Sequence, residues 1–68
     1  MLIPGDIKIY LYLDVVDMRK SIDTLAILVA DTLGLNPASG HLFLFHNHKG
    51  DKVKALFYHE NYFTLIYS

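Results

Sequence analysis

Three groups of side chains in this sequence have the types and spacing for chemistry. Asp14, Asp17 and Asp23 form a carboxylate trio of the kind that holds divalent metals in nucleases. His46 and His48 stand two apart, as the first two ligands of a metal site on one strand face would. His48, Lys49, Lys52 and Lys54 stand close to Tyr58 and Tyr62, a grouping in which cations could neutralise phosphates and rings could stack on bases. Each has a plainer reading. Asp17 fits as a helix N-cap and Asp23 as the partner of Arg19 four residues before it. Only His41 and His59 remain as further imidazoles, too few at ligand spacing for a metal to be expected. Lysines at a hairpin also serve simply to keep sheet edges soluble. No catalytic residue, metal or cofactor is assigned, and the chain reads as a non-enzyme.

Arg19 and Lys20 form a fourth group. In the first turn of a helix they would oppose the local dipole, which favours anions at that end. Together with free backbone N–H groups they could instead form a site for a phosphate or for a partner's carboxylate.

These residues must be positioned by a small number of elements. Asp17 to Leu33 reads as one amphipathic helix, with Asp17 as cap and a stripe of Met18, Ile22, Leu25, Ala26, Val29 and Leu33. Thr24 and Asp31 fall on its other side, Gly34 closes it, and Pro37 follows. Val16, just before the cap, could staple onto the first turns. Ahead of the helix, Pro4-Gly5-Asp6 is turn chemistry. Ile7 to Leu13 then alternates as a half-buried strand, with Ile7, Ile9, Leu11 and Leu13 opposite Lys8, Tyr10 and Tyr12.

Beyond the helix, Asn36 to Gly40 is a loop and His41 to His46 a second strand, Phe43 and Phe45 opposing Leu42 and Leu44. Turn residues from Asn47 to Asp51 return the chain as Lys52 to His59, with Val53, Ala55 and Phe57 opposite Lys54, Leu56 and Tyr58. A turn at Glu60-Asn61 leads to a last strand, Tyr62 to Tyr67. The expected fold class is α+β, in the order β-α-β-β-β, with one helix packed on a mostly antiparallel four-stranded sheet. Short loops make the last three strands a meander and leave the first at an edge. One helix covers one face, and the strands are apolar on both. Leu42, Leu44, Leu56 and Tyr58, or whichever sheet face the helix leaves bare, are therefore the residues to watch for a second covering, from another subunit or from more polypeptide.

Composition limits what else the chain can be. Its 68 residues make a single domain, 1–68, near the lower size at which a core suffices without staples. With no cysteine, disulfides and thiolate metal sites are excluded. Six basic against seven acidic side chains give no global field toward nucleic acid or an anionic membrane. The N-terminus has no signal-peptide pattern, and no run approaches the roughly 18 apolar residues of a membrane span. A cytoplasmic protein, and one whose apolar excess faces another copy or another chain, is the expectation.

Three segments resemble a known family. They are Val16-Asp17-Met18-Arg19-Lys20-Ser21-Ile22-Asp23-Thr24-Leu25-Ala26, Pro37-Ala38-Ser39-Gly40-His41-Leu42-Phe43-Leu44-Phe45 and Lys49-Gly50-Asp51-Lys52-Val53-Lys54. In this order they look like the signatures of a bacterial insertion-sequence accessory protein, the small TnpB-like product of the second reading frame beside a separate transposase. The resemblance runs from about Ile3 to Tyr67. It implies a role in DNA transposition, with protein contacts to the transposase or to itself and no established catalysis.

By motif it points to Asp17, Arg19, Lys20 and Asp23, to Ser39, Gly40 and His41, and to Gly50, Asp51 and Lys54. Asp17, Arg19, Lys20, Asp23 and His41 are thus candidates for partner or anion binding. His48, Lys49, Lys52 and Lys54 are candidates for DNA. The chain departs from the family's pattern at Ser21 and Thr24, where glycines are usual, and at an arginine-poor hairpin. The family's basic, aromatic C-terminal segment is also missing. Stopping at Tyr67-Ser68, inside or just after an aromatic strand, the chain reads as truncated or as completed by dimerising. The alternatives are a small DNA-binding module using the hairpin, or a transposon remnant without present function.

Overall fold

The computed structural model describes residues 6–68. β1 (Ile9–Val15) runs into α1 (Ile22–Thr32), and β2 (Leu42–His46), β3 (Val53–His59) and β4 (Tyr62–Tyr67) follow. The four strands form one sheet in the order β1-β2-β3-β4. β1 is parallel to β2, while β2, β3 and β4 are antiparallel neighbours. This is the expected α+β fold, with the meander and the edge position of β1 as read from loop lengths. Of the expected first turn only Asp6 is described; Pro4 and Gly5 lie outside the described residues.

The helix is shorter than its apolar stripe. It begins at Ile22 with Ser21 as N-cap, five residues after Asp17. Asp17 is diverted because its Oδ1 accepts the backbone N–H of Arg19 at 2.9 Å, while its carbonyl accepts that of Lys20 at 3.1 Å. A short carboxylate that closes a turn two residues on competes with its use as a helix cap. The stripe itself is borne out: Leu25 and Val29 are fully buried, with Met18, Ile22, Ala26 and Leu33 packed beside them. The C-terminal end is as expected. Gly34, at φ +66°, turns the chain so that the Leu35 N–H returns to the Val29 carbonyl at 3.2 Å. Val16 is buried in the same core and its N–H is held by the His46 carbonyl at 2.8 Å, so it belongs to the sheet rather than to a helix staple.

Register sorts the strands into two faces. Phe43 pairs with Leu56 and Phe45 with Lys54, so these four share a side, and Phe43, Phe45 and Leu56 are fully buried under the helix. Tyr10, paired with Phe43, stacks on it at 5.5 Å, and Tyr12 lies against Phe45 at 5.7 Å. The tyrosine side of β1 is therefore the covered one, and its aliphatic side is not. Strand β1 is also displaced by two residues from the expected Ile7 to Leu13, and an irregularity between Leu11 and Val15 breaks its ladder.

The other face carries Ile9 and Leu42, Leu11 and Leu44, then Ala55 and Ile66, as paired neighbours. Ile9, Leu11 and Val15 are each more than half exposed, and Ile66 is 44 % exposed. Of the four residues named for a second covering, Leu42 and Leu44 are on this bare face and Leu56 and Tyr58 are not. Leu56 is buried below the helix, and Tyr58 meets Phe63 edge to face at 4.8 Å on the same side.

Candidate functional site

The C-terminal ends of the parallel strands β1 and β2 lie side by side. There the chain leaving β1 forms the Asp17 turn, and the chain leaving β2 forms the hairpin loop. Between them is an open groove of about 490 Å³, lined by residues 15–18 on one side and by Asn47, His48, Lys49, Asp51 and Lys52 on the other. The first and third of the family-like segments therefore meet in space.

Arg19 clamps Asp17 at the rim. Its Nε donates to Oδ1 and Oδ2 at 3.1 Å each and its Nη2 to Oδ2 at 2.7 Å, a forked carboxylate pair. That side-chain bond, the Arg19 backbone N–H and the nearby charges of Arg19 and Lys20 hold the Asp17 carboxyl at about 2. The same contact raises the Arg19 guanidinium above its ordinary value. Arg19 does not pair with Asp23, as the helical spacing had suggested, because neither it nor Lys20 is in the helix. The expected clash of two cations with the helix dipole dissolves for the same reason, and Asp23 alone occupies the first turn, where its sign is favourable.

The hairpin is organised by Asn47. Its Oδ1 accepts the N–H groups of Asp51 and Lys52 at 3.1 Å, and its Nδ2 donates to the Asp51 carboxylate at 2.8 Å. The Asn47 carbonyl accepts the Gly50 N–H at 3.1 Å, with Gly50 at φ +74°. One side chain thus satisfies the loop's backbone and leaves His48, Lys49 and Lys52 exposed. The signal for this was an Asx residue ahead of Gly-Asp, which marks a self-bonded loop as well as a turn.

Lys54 is not among the exposed cations. It is 7 % exposed, its Nζ donates to the Lys20 carbonyl at 3.0 Å and it lies 5.2 Å from the centre of the Tyr67 ring, its cross-strand partner. This corrects its place as a DNA-binding candidate. A buried ammonium with a backbone acceptor and an aromatic face ties the Asp17 turn to the sheet and has no reach to a phosphate.

His41 sits at the opposite end of the sheet, at the start of β2. Its Nδ1 accepts the Lys8 N–H at 3.0 Å, which requires the proton to be on Nε2, and its ring meets Tyr10 edge to face. With Ser39, Gly40 and His59 it lines a second hollow of about 290 Å³. The middle segment therefore anchors β1 and is separate from the groove. His46 ends β2 with its Nε2 bonded to the Leu13 carbonyl at 3.1 Å, and His48 lies beyond the strand in the loop, so the two do not share a strand face. Among the described residues no three His, Asp or Glu side chains, Asp14, Asp17 and Asp23 included, come together as a metal-ligand group.

A small sheet with one helical layer, whose two separated motifs build a groove at one end, defines a compact α+β module. Its sequence matches the family model described as IS66 Orf2 like protein over residues 7–68. The chain belongs to that family, and so to the accessory proteins of a bacterial insertion sequence, a mobile element that moves by transposition. Neither the curated proteins nor the solved structures contain a match to it. Among the described residues no helix is long and apolar enough to cross a membrane.

Proposed function

We propose that the protein supports transposition without a reaction of its own, by holding the transposase of the same element through the groove between the Asp17 turn and the hairpin. The observation that carries this reading is the convergence of two motifs some thirty residues apart in sequence on one open surface. The groove has an apolar floor from Val15, Val16 and Met18 and exposed cations, Lys49 and Lys52, on its rim. Asp17 is already neutralised by Arg19, and Asp51 is bonded to Asn47. Such a surface suits a protein segment with an apolar side chain flanked by carboxylates.

Co-purification with the transposase tests the proposal. Lys49→Glu and Lys52→Glu, both exposed on the groove's rim, should each weaken capture at least tenfold while circular dichroism stays unchanged. Capture unaffected by both variants, or absent from the unaltered chain, overturns it. The second reading, a DNA-binding module, is favoured by the exposure of His48, Lys49 and Lys52 on one loop. It predicts binding to terminal-repeat DNA that falls steeply with salt and is lost in Lys49→Gln/Lys52→Gln. Transposition that proceeds equally well without this chain would leave only the remnant reading.

A further inference from the structure

The sheet face away from the helix is built differently from every other surface of the molecule. Strand alternation and register assign to it Ile9, Leu11, Val15, Val53 and Ile66, with Leu13 exposed in the irregular stretch of β1. None of the chain's six basic or seven acidic side chains belongs to it. By alternation Lys8 and Asp14 fall with the tyrosines on the other side of β1, Lys54 is under the helix, and Glu60 is in a turn. The ionisable groups it does carry are His46, bonded to the Leu13 carbonyl, and His59, stacked on Phe57 and 3.4 Å from Glu60, with Tyr62 at its margin.

From these observations we infer that a second copy of this chain covers the face, sheet against sheet about a two-fold axis. In such a pairing the same patch meets itself, so a charge near the axis would confront its own copy. A patch free of charge has no such penalty, and it offers a different partner no electrostatic feature to select. The area is also of the right order. The fractional exposures of the six residues above amount to roughly 600 Å² of accessible surface, and the half-buried positions of β2 and β3 between them bring it toward the ~800 Å² that each partner gives to a stable interface. Two sheets stacked in this way bury their facing side chains in a layer about 10 Å thick, giving a helix–sheet–sheet–helix particle. Val15 is the one residue this face shares with the groove, whose other lining residues lie beyond the end of the sheet.

Sedimentation of the full chain over a dilution series tests it, together with Leu11→Lys, Ile66→Lys and, as a control on the exposed face of the helix, Ile27→Lys. The expected result is a dimer whose dissociation constant rises at least 100-fold in each sheet-face variant and is unchanged in Ile27→Lys. Methyl protection from a soluble paramagnetic agent gives the same reading in the unaltered protein, should a variant fail to fold. Leu11 and Ile66 are expected to be shielded at high concentration and exposed on dilution, with Ile27 exposed throughout. A monomer at 100 µM, on the order expected only of pairs weaker than the stable class, overturns the inference. So does a dimer indifferent to both sheet-face variants, and so does shielding of Leu11 and Ile66 that needs added transposase. Loss of transposase capture in the groove variants with the dimer intact would separate this result from the proposed function.

Discussion

The two faces of the sheet are almost equally apolar in sequence and opposite in fate. Under the helix, Phe43, Phe45 and Leu56 are completely buried, and the one charged group among them, Lys54, is matched to a carbonyl and a ring. On the far side Leu11 is 54 % exposed and Leu13 81 %, with no layer of the described residues above them. The difference is a matter of count: eleven helical residues can close one side of four strands and no more. Apolar alternation therefore identifies the sides of a strand but does not say which side its own chain will cover.

The contrast is broken most sharply by truncating one residue on each side. Phe45→Ala removes a fully buried ring, at a cost of about 3–5 kcal/mol, comparable to everything a core of this size supplies. Thermal unfolding of that variant should find no cooperative transition above room temperature. Leu11→Ala, measured on dilute protein, should shift stability by no more than about 0.5 kcal/mol. Equal losses at the two positions would mean that the far side is covered within a single chain.

Lys54 sharpens the same comparison at intermediate size. Lys54→Ala removes the donor of a partly buried hydrogen bond to the Lys20 carbonyl and should cost about 1 kcal/mol. The loss should be accompanied by increased amide exchange across residues 17–20, which the ammonium tethers. Undisturbed exchange there would show that the turn holds without it.

How far all this could be read in advance differs from residue to residue. The four strands, the edge place of β1 and the hairpins follow from alternation and turn chemistry, which are local. The end of the helix was legible because Gly34 is both a local signal and the observed reversal. Its start was not: Asp17 satisfies the rules for a cap, but its carboxylate has Arg19 two residues on and uses it. The identity of the covered face of β1 was hidden for a different reason. Tyrosines and isoleucines both suit a core, and only stacking on Phe43 and Phe45, more than thirty residues away, decides between them. Lys54 was misplaced by the same kind of distant partner, since its acceptor and its aromatic cover lie on two other segments. The groove was legible as two motifs and not as one site, because parallel pairing of β1 and β2 is what joins them.

The register that assigns residues to faces is set in part by the β3–β4 turn. Glu60 and Asn61 both have positive φ, 51° and 70°, the backbone of a two-residue type I′ turn that Asn-Gly suits best. Glu60→Asn with Asn61→Gly should stabilise the fold by about 1 kcal/mol, read as a rise in melting temperature, and leave the face pattern intact. A fall would mean that this hairpin is not closed in that way.

The smallest effect belongs to the rim of the covered side, at the Asp17–Arg19 fork. Asp17 is held at about 2, below its ordinary 3.8, so between these values the unfolded chain binds a proton that the folded chain does not. Its contribution is therefore fully present above about pH 4 and is lost as the pH falls through about 2. Arg19 is 91 % exposed at its side chain, and solvent screens the pair, so the global transition should barely move. The local readout is what discriminates. Followed by carbon NMR, the Asp17 carboxyl should titrate near 2, and in Arg19→Gln its midpoint should move up toward 3.8, because the guanidinium bond is the leading cause of the shift. Coincident midpoints in the two proteins would mean that the fork does not persist in solution, and the Asp17 turn would then owe its shape to its backbone N–H bonds and the Lys54 tether.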